Sequence, residues 1–348
     1  MPKTNKRHDN QRATIEDGAQ LAGVSISTVS RAMNQSSYVS EATAQKVQKA
    51  IQKLKFIPDG SARGLASRRT KRLGIVLYDL DTQYALALLR GVESEARTLG
   101  YSLEIGTSKA DRAITSGFVE QNTDGLLVLT GAMTDMEIER LVQDKFPVIL
   151  MHRIPPSGLV LPHVLVENKD STCELISHLI EVHGSRRIAF LRGAETEEDS
   201  RWRELGYRKA LESHNLEVDA SLIGFGGFRH EIAPQTVADW LTNGVTFDAI
   251  FAGDDESAVG VYQALESFGV RIPTDMAVVG FDDDYYASRM LPPLTTVRTP
   301  IEEVGRVSVK HLIELIDTGK TEDEIMLKTN IVIRQSCGCR DVDLRKEV

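Results

Sequence analysis

Apolar positions along the 348-residue chain fall into two regimes. Between Thr14 and Leu54 they recur at helical spacing. Ile15, Ala19 and Ala22 share one face, Val29 with Ala32 or Met33 a second, and Ala44, Val47, Ile51 and Leu54 a third. The punctuation agrees. Thr14 with an acid three residues on reads as a helix start, Gly23 as a left-handed stop, and Ser25 and Ser40 as caps of the next two helices. Three short helices, the first two joined by a Gly-containing turn, predict a helix-turn-helix. From Leu73 onward, short apolar runs alternate with helical stretches: LGIVLYDL, YSLEIGTS, GLLVLTG and PVILMHR, then RIAFLRG, LIGFGGF, AIFAGDD and MAVVGFDD. Such alternation predicts an α/β body of parallel sheets covered by helices on both faces. Two sets of runs predict two lobes, joined near VLVENKD and again near LTTVRTP. Ligands of such sheets sit beyond the carboxyl ends of the strands, where these runs turn polar.

Charge divides the chain at the same place. Residues 1–72 hold 14 Lys and Arg against 5 Asp and Glu; the chain totals of 41 and 50 then leave 27 against 45 downstream. A basic head on an acidic body is the footprint of a polyanion-binding module joined to a body with another task. On the second helix Ile26, Ser27, Ser30 and Arg31 face outward. Arg31 suits the paired acceptors of a guanine, Ser27 either groove edge, and Ile26 a thymine methyl. Ser25, Thr28, Ser30 and Tyr38 suit phosphate oxygens, which position a protein without specifying sequence.

Several classes of function are excluded. No apolar run approaches the ~18 residues that span a bilayer, and MPKTNKRHDNQR lacks the apolar core of a signal peptide, so a cytoplasmic protein with no membrane partner is expected. Cys173, Cys337 and Cys339 are too few for a disulfide framework. Cys337-Gly-Cys339 has no second pair and no neighbouring histidines in the sequence; it reads as two tail thiols, and no metal is expected. GFGGFR, 224–229, is the nearest approach to a dinucleotide phosphate loop, yet Arg229 occupies the third glycine position. The sequence has no Walker motif, GxSxG elbow or histidine cluster, so neither an enzyme nor a cofactor is expected.

The stretch TIEDGAQLAGVSISTVSRAMN, followed by VSEATAQKVQKAIQKLKFIPDGSARGLA, resembles the head of the lac-repressor (LacI/GalR) family of bacterial DNA-binding transcriptional regulators. The family's G-V-S-x-x-T-V-S-R-x-x-N core, closing here on Asn34, and its I-P-x-x-x-A-R-x-L-A hinge stand at the expected separation. Gly18 departs from the branched apolar residue usual there and loosens its helix by up to ~1 kcal/mol relative to alanine. The resemblance implies a helix-turn-helix DNA-binding domain over 1–58, a hinge over 59–72, and a two-lobed effector-binding and dimerisation domain over 73–340. Lobe 1 takes about 73–166 and 300–326, and lobe 2 about 167–297 and 329–340. It further implies that Asp59 to Ala66 becomes helical only when two chains meet on DNA. Leu65 would then wedge into the minor groove, with Arg63 among the phosphate anchors around it. Gly60 and Gly64 agree, each disfavouring helix by roughly 0.8–1 kcal/mol.

GSRRIAFLRG, RWRELGYRKAL, FAGDDESAVGVYQAL and VVGFDDDYYASRMLPPLTTVRTP resemble the body of the same family, which is similar to periplasmic sugar-binding proteins. The likeness therefore covers nearly the whole chain. Carried over position by position, it makes Arg203 a ligand clamp, Asp254 and Asp282 acceptors for sugar hydroxyls, and Tyr84 and Phe228 apolar faces. Tyr78 and His152, at strand ends, complete the effector set. Two departures bear on the ligand. The first loop reads DLDTQYA where the family has D-x-x-N-P-F-F, and the fourth strand ends in His152-Arg153 where the family has Asp. An imidazole beside arginines favours a sugar acid or sugar phosphate, whereas Asp254 and Asp282 favour a neutral sugar. The expected protein is a homodimeric regulator, acting as a repressor on near-palindromic double-stranded operator DNA, with a small-molecule effector between its lobes. That effector either releases the DNA or tightens the grip on it. A transport solute-binding protein gives no reason for the basic head, and a sugar-active enzyme needs a catalytic constellation absent from the sequence.

Overall fold

The computed structural model describes residues 13–34, 39–54, 69–109, 117 and 119–340. It divides into two compact units, residues 1–70 and 71–348.

In the first unit, α1 (Ile15–Ala22) starts from a reciprocal cap. The Thr14 hydroxyl accepts the Asp17 N–H at 3.3 Å, and the Asp17 carboxylate accepts the Thr14 N–H at 3.0 Å. Gly23, at φ 68°, ends the helix. Next, α2 (Ile26–Asn34) begins after Ser25, whose hydroxyl accepts the Thr28 N–H at 3.2 Å. Then α3 (Glu41–Leu54) begins after Ser40, which accepts the Thr43 N–H at 3.4 Å. Each helix gives one residue to the buried centre, Ala19, Val29 and Val47, with Ile15, Val24, Ala32, Met33 and Ile51 packed around it.

The second unit contains twelve strands among the described residues. They are β1 (Arg72–Leu77), β2 (Ser102–Thr107), β3 (Leu126–Leu129), β4 (Val148–Met151), β5 (His163–Val166), β6 (Ile188–Arg192), β7 (Ile223–Phe225), β8 (Ala249–Phe251), β9 (Ala277–Val279), β10 (Thr296–Arg298), β11 (Glu324–Leu327) and β12 (Asn330–Val332). Among its helices are α4 (Gln83–Thr98), α5 (Asp135–Gln143), α6 (Lys169–His183), α7 (Glu198–Ser213), α8 (Ala233–Thr242), α9 (Asp255–Ser267) and α10 (Ile301–Thr318). One parallel sheet runs β11-β5-β4-β3-β1-β2 and a second β7-β6-β8-β9, while β10 and β12 form a short antiparallel pair.

Alternate strand residues face opposite sides, so each apolar run feeds two cores. In the first lobe Ile75 and Leu127 meet Leu88 of α4 and Val304 and Leu312 of α10, whereas Val76 and Val128 meet Ile138 and Leu141 of α5. In the second, Phe190 and Phe251 pack on Leu175 and Leu179 of α6 and Tyr207 of α7. On the opposite face Leu191 and Ile250 pack on Trp240 of α8 and Val261 of α9. The chain passes between the lobes three times: at 167–168 after β5, at 299–300 before α10, and at 328–329 between β11 and β12. No described helix is long and apolar enough to cross a membrane.

Candidate functional site

On the head, α2 presents Ile26, Ser27 and Arg31 to solvent, while Thr28 and Ser30 are half-buried. Ile26 is 47% exposed, on the same outward face as Ser27 and Arg31. The hydroxyls are organised rather than loose. Ser25 Oγ stands 2.8 Å from both Ser27 Oγ and Thr28 Oγ1 while capping the helix, so Ser25 has a structural duty besides any phosphate contact. Asn34 closes α2. Tyr38, Arg63 and Leu65 lie outside the described residues, and so does the whole expected hinge wedge.

In the body, loops at the carboxyl ends of β1, β3 and β4 face loops after β6, β7, β8 and β9 across a cavity of about 430 Å3. The structure places all seven expected effector positions on this one wall: Tyr78, Tyr84, His152, Arg203, Phe228, Asp254 and Asp282. Three of them, His152, Phe228 and Asp282, have left-handed backbones, at φ 56°, 55° and 110°. L-residues adopt that region at a cost of order 1–3 kcal/mol, and such strain gathers at ligand sites.

Arg203, on α7, is 3% exposed and sits at the centre of the wall. Its Nε donates to Asn168 Oδ1 at 2.9 Å, Nη1 to the Gly253 carbonyl at 2.8 Å, and Nη2 to Asp282 Oδ1 at 3.2 Å. The Phe281 and Phe228 rings lie 3.8 Å and 5.3 Å from its guanidinium carbon. Three of the five guanidinium N–H groups are thus used inside the protein, and Arg203 is a brace of the second lobe as well as a face of the cavity. Asp282 also accepts the Thr299 hydroxyl at 3.1 Å. Asp254 caps α9 by accepting the Ser257 N–H at 2.9 Å. Burial pushes its carboxyl up to about 8, against the pull of the Ser257 hydrogen bonds, so near neutral pH it holds a proton and can donate as well as accept. Burial likewise raises Asp284 to about 6.

Contacts join the lobes across the cavity. Arg229 Nη2 donates to Asp79 Oδ2 at 2.5 Å, and the Gln83 N–H donates to Glu256 Oε1 at 3.1 Å. Tyr84 bonds His152 Nε2, and His152 Nδ1 stands 2.8 Å from Asp199 Oδ2. Asp199 Oδ1 accepts from Asn168, the residue that also holds Arg203, so a polar chain runs from Tyr84 in one lobe to Asp282 in the other. Burial alone would raise the Asp199 carboxyl, but the facing His152, with Arg203 and Asn168, outweighs it and holds the group below its usual range. In Asp79, burial is similarly outweighed by Arg229 and Lys109.

The arginines correct one expectation. Arg153, beside His152, does not line the cavity. It pairs with Asp135 and donates to the Met133 carbonyl at 2.6 Å. The two arginines on the wall, Arg203 and Arg229, already face Asp282 and Asp79. Five participants escaped sequence reading: Asp79, Asn168, Asp199, Arg229 and Glu256. Arg229 had a visible signal, since it is the residue that spoils the phosphate-loop pattern.

A helix-turn-helix joined to a bilobed binding-protein body with a polar cleft defines a ligand-responsive regulator of transcription. The family model described as "Bacterial regulatory proteins, lacI family" matches residues 14–59, and that of the periplasmic binding protein-like domain matches residues 176–337. The ribose operon repressor of Escherichia coli strain K12 is 32% identical over 332 residues, covering 93% of this chain and 99% of that one. The lac repressor dimer bound to operator and the anti-inducer ONPF matches with a TM-score of 0.83 at 25% identity, over 94% of this chain and 99% of that one. The complex of the transcriptional regulator CelR with cellobiose matches with a TM-score of 0.72 at 29% identity, over 93% and 100%. The chain belongs to the lacI family of bacterial regulatory proteins, and it is a DNA-binding transcriptional regulator.

Proposed function

We infer that this regulator is a repressor whose operator affinity is set by a neutral polyhydroxylated ligand, a sugar, held in the cavity between its lobes. The pairing of both cavity arginines carries this reading. Asp79, Asp199, Glu256, Asp282 and Asp284 outnumber Arg203 and Arg229 on the wall, and each arginine already faces a carboxylate. A sugar acid or sugar phosphate would bring a further negative charge to that wall. A neutral sugar donates its hydroxyls to Asp282 and Asp199 and accepts from the remaining Arg203 N–H groups and from protonated Asp254. Tyr78 and Phe228 supply apolar faces for its ring. The relative solved with cellobiose supports the same ligand class.

In the head, Arg31, Ser27 and Ile26 read base edges, and Ser25, Thr28 and Ser30 settle on phosphates. Asn34, Tyr38, Arg63 and Leu65 complete the interface as the family pattern implies. Two such heads on a homodimer meet a near-palindromic operator. A sugar that strengthens or weakens the Asp79–Arg229 and Gln83–Glu256 contacts between the lobes biases one lobe arrangement over another. Allosteric couplings of ~1–3 kcal/mol then change operator affinity about 5–150-fold. The test is a thermal-shift panel of neutral sugars, sugar acids and sugar phosphates, followed by gel shifts on promoter DNA from the gene's own neighbourhood with each stabilising compound. A neutral sugar should raise the melting temperature and alter operator affinity. Stabilisation by the anionic compounds alone would refute the ligand class, and equal binding to promoter and random duplex would refute the regulator.

A further inference from the structure

The thiols set aside in the sequence do not stand alone. After β12 the chain makes a tight turn, Cys337-Gly338-Cys339, against the carboxyl end of α6. There the fold supplies the histidines that linear spacing did not: His178 and His183, more than 150 residues upstream. Cys339 Sγ lies 3.7 Å from His178 Nε2 and 3.4 Å from His183 Nε2. The two rings are edge to face, with centroids 5.1 Å apart. One donor atom from each of His178, His183, Cys337 and Cys339 lies within 4.8 Å of every other.

Those distances match a particular geometry. A tetrahedral zinc ion with Zn–S of about 2.3 Å and Zn–N of about 2.0 Å separates sulfur from nitrogen by about 3.5 Å. The two separations bracket that value. Cys337 Sγ has polar neighbours of both kinds: the Thr295 hydroxyl, which accepts the Arg334 N–H at 2.8 Å and keeps its own proton for the sulfur 3.2 Å away, and the Arg334 carbonyl at 3.5 Å. Gly338 has φ 110°, and an added Cβ would come within 3.1 Å of His183 Nδ1, so the turn brings both sulfurs to the imidazoles only with glycine between them.

We propose that His178, His183, Cys337 and Cys339 form a zinc-binding site that clasps the C-terminal turn to α6. Two thiolates and two imidazoles in tetrahedral disposition select zinc over the hard divalent ions, and four protein ligands make the site structural. The clasp is separate from the sugar cleft and independent of the ligand assigned there. It holds in place the segment in which Ser336 donates to the Val278 carbonyl at 2.6 Å and accepts the Thr295 N–H at 2.7 Å, contacts that fasten the edge of the second sheet.

The experiment uses the full chain, purified without a histidine tag under reductant and dialysed against zinc buffered at nanomolar free concentration. Elemental analysis should find one zinc per chain. Cobalt(II) exchange should give the intense visible absorption of a four-coordinate ion with a sulfur-to-metal charge-transfer band. Cys337 is buried in the second-lobe core, so its substitution risks the fold; the variants are therefore Cys339→Ser and His178→Gln, both at half-buried positions. Each should weaken zinc binding at least tenfold, remove the tetrahedral cobalt spectrum and retain the far-ultraviolet circular dichroism of the wild type. Less than a tenth of a zinc per chain in the wild type would overturn the proposal. So would zinc affinity unchanged in both variants, or recovery of Cys337 and Cys339 as a disulfide from reductant-treated protein.

Discussion

Replacing Asp254 with Asn isolates the proton held by the wall of the cleft. Asparagine keeps the size of the side chain and an oxygen for the Ser257 N–H, but it cannot ionise. In the folded chain the Asp254 carboxyl ionises near 8, because it is buried; in the unfolded chain it ionises near 3.8. Between those values the folded protein retains a proton that the unfolded chain has released. Stability therefore falls as pH rises through this window, by about 1.4 kcal/mol per pH unit for one proton. D254N lacks this loss. Its stability advantage over the wild type should widen by about 3 kcal/mol from pH 5 to pH 7 and stop widening above about pH 8. Titrating groups that do not interact with Asp254 contribute to both proteins and cancel in the difference. Urea unfolding at a series of pH values, followed by tryptophan fluorescence, measures it. Both tryptophans, Trp202 and Trp240, belong to the second lobe, so the signal reports the unit that contains Asp254. A difference that stays constant across that range would show that Asp254 ionises as an ordinary carboxylate, and the account of the cleft as a proton-holding wall would fail.

Arg203→Ala leaves Asp282 buried without its cation and strips Asn168 and the Gly253 carbonyl of their donor, so it should destabilise the second lobe by about 3–5 kcal/mol; a loss below 1 kcal/mol in urea unfolding would remove Arg203 as a brace. Asp79→Asn frees Arg229 to face the cavity, which should shift preference toward the acid analogue of the natural sugar by roughly 1.5–3 kcal/mol. Calorimetric titration of the neutral and acidic forms checks this, an unchanged ratio counting against the charge argument. Gly18→Ala should stabilise α1 by about 1 kcal/mol, since the new Cβ meets nothing within 4 Å. Amide exchange along α1 should slow about fivefold, and unaltered exchange would refute it. Arg31→Ala should cost ~1–3 kcal/mol of operator affinity and relax preference at one base pair in gel shifts; equal weakening on every duplex would make Arg31 a phosphate anchor.

What the sequence disclosed, and what it withheld, follows from distance along the chain. Caps are local, so Thr14 with Asp17 and the stop at Gly23 were readable from a few neighbours. Short apolar runs announced the sheets, because strands covered on both faces need no polar alternation. Strand ends also announced the cleft wall, since a parallel sheet delivers its polar loops to one edge. Contacts between the lobes were silent. Nothing near Arg229 reveals that it meets Asp79, and nothing near His152 reveals Asp199, because those pairs depend on how two separately built sheets face each other. Arg153 misled for the same reason: its sequence neighbour lines the cavity while its own side chain turns to Asp135. The His178–His183 spacing was quiet too. Five residues rotate a helix by about 140°, so the two rings converge only where α6 ends and the C-terminal turn arrives from far downstream.

The three passages between the lobes also set the order in which the protein is completed. The first lobe begins at β1 but finishes only with α10, which covers its core through Val304 and Leu312, and with β11, which pairs beside β5. All four strands of the second sheet are made before either of those elements. On the ribosome, then, the lobe translated first stays open until α10 and β11 emerge, with Leu88 and Val92 uncovered and a strand edge unpaired. A stalled or truncated message that ends before Ile301 would release a chain whose second sheet is whole and whose first is a sticky half.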